Sequence, residues 1–94
     1  MPTIGVITLE ISIPEARSLK EKRQVIKSLK DRLRARHNVA VAEIDFQDAW
    51  QHALVSAVTV SPDRTFAEKV LQKVEAEAAT QLGGMLIGSH IEWL

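Results

Sequence analysis

Two apolar runs in the middle of the chain, at 39–46 and 51–60, are separated only by the four residues from Gln47 to Trp50. Each run has the length and composition of a β-strand. Parallel neighbours need a crossover of a dozen or more residues, and four residues cannot supply one. We therefore expect the two strands to pair antiparallel as a hairpin, which restricts the folds open to the chain.

The first segment, at 3–13, also reads as a strand because apolar and polar residues alternate. One face carries Ile7, Leu9, Ile11 and Ile13, and the other carries Thr8, Glu10 and Ser12. Ile4 and Val6 lie on the nominally polar face and make it apolar at one end. Pro14 ends the strand, since proline cannot donate to a strand ladder. A last strand, at 85–94, follows Gly83 and Gly84.

The first helix is expected to begin at Ser18, which forms a capping-box pattern with Glu21, and to end near Arg36. His37 and Asn38 supply a terminus, because asparagine tolerates left-handed backbone geometry. The apolar stripe consists of Val25, Ile26, Leu29 and Leu33.

For the second helix, Pro62 suits a first helical position, and Thr65 with Glu68 gives another capping-box pattern. Its predicted apolar stripe consists of Phe66, Val70, Leu71, Val74 and Ala78.

The order strand–helix–strand–strand–helix–strand predicts an α+β fold of the ferredoxin-like βαββαβ type, in one domain spanning residues 1–94. Its four-stranded antiparallel sheet carries both helices on one face. The other face is then uncovered, although several strands have apolar residues on both sides. We expect a second copy of the chain to cover it as a dimer, with Trp50, Ile4 and Val6 as candidate interface residues.

Composition excludes several classes of protein. The hydrophobic content of 46% and the formal net charge of zero argue against a disordered chain, and no apolar run is long enough to span a bilayer. The N-terminal segment lacks a basic region before its apolar stretch, so we expect no signal peptide. Without cysteine, disulfides and thiolate chemistry are excluded, which fits a cytosolic protein.

The charge is unevenly distributed along the chain. Residues 17–36 hold nine basic and two acidic side chains, whereas residues 38–94 hold three basic and eight acidic ones. At 100° per residue, Arg23, Lys27, Lys30 and Arg34 form one line on the solvent side of the first helix. Lys20 lies near the border of this line. Lys22 falls close to the apolar direction, where its ammonium group would have to reach out to solvent.

Two interpretations of this basic row stay open. In the first interpretation, the row contacts phosphates, most naturally those of RNA or a ribosomal particle, with Lys20 as an accessory cation. Alternatively it is a solvated face, partly neutralised by Glu75, Glu77 or the acidic hairpin of a neighbour. The corresponding functions are a non-enzymatic RNA- or ribosome-associated binding protein and a homo-oligomeric structural or regulatory interaction module.

No catalytic constellation is visible in the sequence, so we predict no enzyme activity and no cofactor. Acidic residues cluster near the hairpin turn beside Trp50 and His52, namely Glu43, Asp45 and Asp48. Carboxylates and a histidine can bind a divalent metal, but the spacing of these residues matches no metal-binding motif. The favoured interpretation is that the aspartates are turn residues that hydrogen-bond their own backbone. We predict no metal site.

The block SLKEKRQVIKSLKDRLRARHNVAVAEID followed by QDAWQHALVSAVTVSPD resembles the YlxP-like family of short bacterial proteins of unassigned function. The stretch at 18–34 and the Asp48-x-Trp50-Gln51 turn are its distinctive parts. The resemblance implies a ferredoxin-like fold, a bacterial cytosolic setting and, from genes encoded among translation factors, an association with RNA or ribosomes. No catalytic residue comes with it.

Overall fold

The computed structural model describes all residues from 1 to 94. Its elements in chain order are β1 (Thr3–Ser12), α1 (Leu19–Arg36), β2 (Ala40–Asp45), β3 (His52–Ser61), α2 (Arg64–Leu82) and β4 (Leu86–Trp93). A short 3₁₀ turn, Gly83–Met85, joins α2 to β4.

The four strands form one sheet in the order β2-β3-β1-β4, and every neighbouring pair is antiparallel. The loop between β2 and β3 closes the predicted hairpin, while each helix connects two strands that are not neighbours in the sheet. Both helices pack on one face of the sheet. The predicted ferredoxin-like α+β fold is confirmed.

The core lies between this sheet face and the helices. It is built from alternate residues of β1 and β3 and from one stripe of each helix. Buried residues of α1 are Lys22, Ile26, Leu29 and Leu33, and those of α2 are Ala67, Leu71, Val74, Ala78 and Leu82. Phe66 was expected in the α2 stripe, which is wrong: it is 56% exposed, and Ala67 takes the inward position.

The helix ends differ in detail from the sequence predictions. Ser18 caps α1 as expected, its hydroxyl accepting from the Glu21 amide, but the Glu21 carboxylate reaches back to the amide of Arg17. At the other end His37 adopts extended geometry, and Asn38 is not left-handed.

The start of α2 also differs from the prediction. Its N-cap is Asp63, whereas the sequence pattern placed a capping box at Thr65 and Glu68. The Asp63 carboxylate accepts from the Thr65 amide, so Pro62 precedes the cap and Thr65 lies inside the first turn. Because the Asp63 carboxylate caps the Thr65 amide, the helix begins before Thr65, and Thr65 cannot serve as its N-cap.

Gly5 marks a close approach between β1 and the helix layer. A Cβ atom there would lie 2.6 Å from Cζ3 of Trp93 and 2.8 Å from Cδ1 of Leu71. The absence of a side chain lets the indole of Trp93 lie over the strand. The guanidinium of Arg64 covers the same ring, 4.5 Å from its centroid.

The opposite sheet face, called the open face below, has no element packed on it. The strand register places Ile4 beside Val60, and Val6 beside Val58. Thr8 faces Ser56 in the middle, and Glu10 faces Leu54 nearer the hairpin. The predicted apolar end of this face, at Ile4 and Val6, is therefore continued across the sheet by β3.

Neither helix combines the length and the apolar character that crossing a membrane requires. The cytosolic location stays a prediction.

Candidate nucleic-acid interface

The predicted basic row lines one groove, which lies between α1 and β2 and is called the cationic groove below. Its walls are Arg23, Ile26, Lys27, Lys30, Asp31, Arg34 and Glu43, and its volume is about 400 Å³. Helical spacing brings the four cations to one side, since residues three and four positions apart share a face. The structure therefore brings Arg23, Lys27, Lys30 and Arg34 together as a single surface.

Two of the four cations are engaged by Asp31 within the same helix. Lys27 Nζ lies 2.5 Å from Oδ2 of Asp31, and Arg34 Nη1 lies 3.7 Å from Oδ1. The hydrogen bond from Lys27 holds the pKa of Asp31 below its usual range, aided by the charges of Lys27, Arg34 and Lys30 and opposed by desolvation. Asp31 therefore remains ionised and offsets part of the positive charge.

Arg23 and Lys30 have no ion-pair partner in the structure. Their charges are balanced only by solvent and by the wider field of the protein. These two side chains are consequently the cations most available to an anionic ligand.

Arg34 joins the helix to the strand across the groove. Its Nη2 donates a hydrogen bond of 3.0 Å to the backbone carbonyl of Val41 in β2. With the contact to Asp31, this holds the guanidinium at one end of the groove while leaving it about half exposed.

Beneath the groove, the side chain of Lys22 is 1% exposed. Its Nζ lies 2.8 Å from Oε2 of Glu43 and donates to the backbone carbonyl of Phe46 at 2.5 Å. The expectation that Lys22 would reach solvent is wrong, because a carboxylate and a carbonyl from the hairpin meet it inside. The negative charge of Glu43 is thus balanced by Lys22, so Glu43 offsets little of the positive charge of the cationic groove.

Lys20, predicted as an accessory cation, is exposed on the first turn of α1 and does not line the groove. The other two arginines of α1 share one carboxylate on the side facing α2. Glu77 lies 3.1 Å from Arg32 Nε, 3.6 Å from Arg36 Nη1 and 3.4 Å from His37 Nε2.

Glu77 is the acidic partner that the sequence suggested, but it serves Arg32 and Arg36 rather than the predicted row. Desolvation works to raise the pKa of Glu77, yet the charge of Arg36, the hydrogen bond to His37 and the contacts of Arg32 lower it overall. Glu75 instead bonds the hydroxyl of Ser89. Both arginines on the α2 side of α1 therefore contact a carboxylate, whereas Arg23 and Lys30 on the groove side do not.

The acidic hairpin residues do not converge. Glu43 pairs with Lys22, Asp45 accepts from the Phe46 amide at 2.8 Å, and His52 lies 3.3 Å from Glu10. No three His, Asp or Glu side chains come together in a way that could hold a metal ion.

In the distinctive Asp48-x-Trp50-Gln51 turn, Gln51 makes hydrogen bonds to another segment and Trp50 is exposed. The Gln51 amide donates to the carbonyls of Pro14 and Ala16, at 3.0 and 3.2 Å, and so ties the hairpin to the segment that follows β1. Trp50 is 52% exposed and lines a shallow pocket of about 560 Å³ with Pro14 and His52.

Phe46 occupies the left-handed region, with φ of 62°, although it is not glycine. Such a conformation costs about 1–2 kcal/mol and persists where neighbours hold it. Asp45 accepts from its amide and Lys22 donates to its carbonyl. Nothing in the sequence predicts this, because phenylalanine is not typical of left-handed positions.

These features define a small ferredoxin-like domain with a cationic groove and an open sheet face. The chain belongs to the family described as a protein of unknown function, DUF503, whose model matches residues 4–90. It is 42% identical over 73 residues to the uncharacterized protein YlxP of Bacillus subtilis, covering 78% of this chain and 79% of that protein. The predicted membership of a YlxP-like bacterial family is confirmed.

Solved structures share the fold at low sequence identity. The de novo designed protein Foldit4 has a TM-score of 0.55 at 13% identity, covering all of this chain and 94% of that one. A C-terminal segment of the alpha subunit of aIF2 from Pyrococcus abyssi also has a TM-score of 0.55, at 18% identity, with 51% of its chain covered. The designed ferredoxin-fold protein LFR1 1 has a TM-score of 0.50 at 14% identity, covering all of this chain and 84% of that one. These likenesses concern the fold alone.

Proposed function

We propose that this protein is a non-enzymatic binding protein that holds a single strand of RNA by its phosphates in the cationic groove. The observation that carries the proposal is the convergence of four cations on one groove, two of which, Arg23 and Lys30, have no ion-pair partner.

The length and shape of the groove support a backbone contact. Arg23 and Arg34 are eleven residues apart on one helix, so the row spans about 17 Å at 1.5 Å per residue. A single row of cations follows one phosphate strand, whereas a duplex would present two. Contacts of this kind carry affinity and little sequence information.

The charge distribution supports the groove over the sheet as the RNA-binding surface. RNA-reading sheets of this fold stack bases on aromatic residues of the central strands. Apart from His52 at the start of β3, the open face has aliphatic, hydroxyl or carboxylate side chains on β1 and β3, among them Val6, Thr8 and Glu10. No lysine or arginine belongs to either of these strands.

The predicted alternative, a homo-oligomeric interaction module, is favoured by a different observation, the apolar residues of the open face. The two surfaces lie on different layers of the domain, so one role does not exclude the other. The oligomer is argued separately below.

Fluorescence anisotropy with a labelled oligouridine tests the RNA proposal. Four phosphate contacts on a single strand predict a log–log salt slope near −2.8, and removing two contacts in an Arg23→Gln/Lys30→Gln variant brings it to about −1.4. A Lys69→Gln/Lys73→Gln variant is the matched control, since it removes the same charge from exposed, unpaired lysines of α2.

The proposal requires weaker binding in the groove variant and nearly unchanged binding in the α2 variant. Equal losses in the two variants would mean that only total charge matters. Unchanged affinity in the groove variant would overturn the proposal.

A further inference from the structure

We propose that a second copy of this chain docks on the open face, so that two sheets pack face to face in a symmetric dimer. The inference does not depend on RNA binding, because the cationic groove lies beside the helix layer. Its test accordingly uses the purified protein without nucleic acid.

The first observation is an apolar patch that crosses the two central strands. Val6 pairs with Val58 and Ile4 with Val60, and Ala40 continues the patch onto β2 beside Val58. Val60 lies next to the last residue of the central strand β3 and is 57% exposed. Contiguous apolar surface of this kind marks an interaction site.

The second observation is that the two hydroxyl groups beside this patch already have each other as partners. The hydroxyls of Thr8 and Ser56 bond each other at 2.8 Å in the middle of the face. Burying this satisfied pair costs far less than burying a lone hydroxyl.

The carboxylates of the open face also have contacts within the chain, of which the two to histidine are ion pairs only when the imidazole is protonated. Glu10 lies 3.3 Å from His52 and Glu92 lies 3.7 Å from His90, and the Asp45 carboxylate accepts from the amide of Phe46. Besides the histidines, these three carboxylates are the only titratable groups of the open face and they lie around the apolar patch, which favours an uncharged apolar surface as the occupant of the patch.

A second copy of this chain supplies such a surface. None of the twelve lysines and arginines belongs to β1, β2, β3 or β4, so nucleic acid and strongly acidic peptides find no cation on the open face. The apolar patch, bordered by the Thr8–Ser56 pair, Glu10, Glu92 and the histidines, combines apolar and polar groups as a protein–protein interface does.

The area suffices for a specific contact. Four strands about 4.8 Å apart, over a shared length of roughly eight residues at about 3.3 Å each, give a face of roughly 500 Å² per copy. Two such faces bury roughly 1,000 Å² together, about the minimum expected for a biological interface. The exposed Trp50 lies at the hairpin end and extends this surface.

A two-fold axis parallel to the strands and between β1 and β3 brings the apolar parts into register. Val6 then lies over Val58 of the partner subunit, and Ile4 over Val60 of the partner subunit. The sheets would be about 10 Å apart and nearly aligned, as in β-sandwiches. The same patch serves both copies, as a closed symmetric dimer requires.

Sedimentation equilibrium across the micromolar range tests the proposal. The wild-type chain should sediment at twice its monomer mass of 10.5 kDa at the higher concentrations. Val58→Lys and Val60→Lys should sediment as monomers, because each places a charge in the apolar patch. Phe66→Lys is the matched control: Phe66 is as exposed as Val60 but lies on α2, and this variant should stay dimeric.

Cross-linking supplies a second measurement that does not require a charge in the sheet. The chain has no cysteine, so a Val60→Cys variant carries one thiol per copy. A short bis-maleimide should link Val60→Cys chains in pairs and leave Phe66→Cys chains single. A wild-type monomer throughout the concentration range, or equal cross-linking of the two variants, would overturn the proposal.

Discussion

The ammonium group of Lys22 lies 2.8 Å from the carboxylate of Glu43, and this contact attaches the buried side of α1 to the edge strand β2. The same ammonium donates to the carbonyl of Phe46, where the chain leaves β2 in a left-handed conformation. One buried cation thus links the helix to both β2 and the start of the hairpin loop. It also cancels a carboxylate that would otherwise weaken the cationic groove.

Removing this cation should destabilise the fold. Lys22→Met keeps the apolar stem but removes the counter-charge of the Glu43 carboxylate and the donor to the Phe46 carbonyl. The expected cost is about 2–4 kcal/mol in the free energy of unfolding. Urea denaturation measures it. Lys20→Met, an exposed lysine of the same turn, should change the free energy by less than about 0.5 kcal/mol. Similar losses in the two variants would contradict a structural role for Lys22.

Asp31→Asn should strengthen RNA binding. The carboxylate lies in the cationic groove and engages Lys27 and Arg34, so its removal frees two cations and removes one repulsive charge. We expect about a threefold gain in affinity at low salt that shrinks as salt is added. Anisotropy titrations with the labelled oligouridine measure it, and Glu68→Gln on α2 is the control for total charge. Weaker binding in Asp31→Asn would argue that Asp31 orders the row rather than opposing the ligand.

Gly5→Ala should be destabilising, because the new methyl group meets the Trp93 ring and Leu71 inside van der Waals distance. Overpacking of this kind costs about 1–3 kcal/mol. Thermal unfolding followed by circular dichroism measures the loss. Gly88→Ala is a matched strand control, since its nearest neighbour would be a Glu10 oxygen at 3.4 Å. The close-approach argument fails if the two alanine variants are equally stable.

Stability should depend on pH through Glu77. Its pKa is lower in the folded protein than the ordinary value of 4.5, so the unfolded chain binds more protons between those two values. The contribution of Glu77 is therefore complete above about pH 5 and is lost as the pH falls through the lowered value. The difference in unfolding free energy between wild type and Glu77→Gln should shrink in acid. Glu68→Gln should show no such change, and a difference that grows in acid would reverse the assignment.

The fold was predictable because its signals are local and agree with each other. The short connector at 47–50 leaves only a hairpin, the β1 alternation identifies the inward face, and Ser18 begins α1 where its hydroxyl caps the helix. The start of α2 was misplaced because Asp63 and Thr65 both suit a cap, and only the folded geometry decides between them.

The basic row was predictable because four residues on one helix share a face whatever the tertiary structure does. Its partners on β2 were not, since Glu43 and the Val41 carbonyl acquire their roles from the distances at which α1 and β2 meet, whereas Asp31 pairs within the helix itself. The helical phase of Lys22 indicated the apolar side, but the acceptors that keep it there come from residues more than twenty positions away. Phe66 was misassigned because the apolar stripe of α2 is wide, and the neighbouring alanine fits more closely against the sheet.

Arg34 has two roles, one in the cationic groove and one at the edge of the sheet. Its guanidinium belongs to the cationic groove, yet it also covers the Val41 carbonyl on β2, an edge strand of the sheet. Uncovered edges invite strand addition from other chains and so aggregation. A substitution that tunes the groove at this position therefore also exposes an edge, so ligand affinity can be adjusted at Arg23 and Lys30 with less risk to solubility than at Arg34.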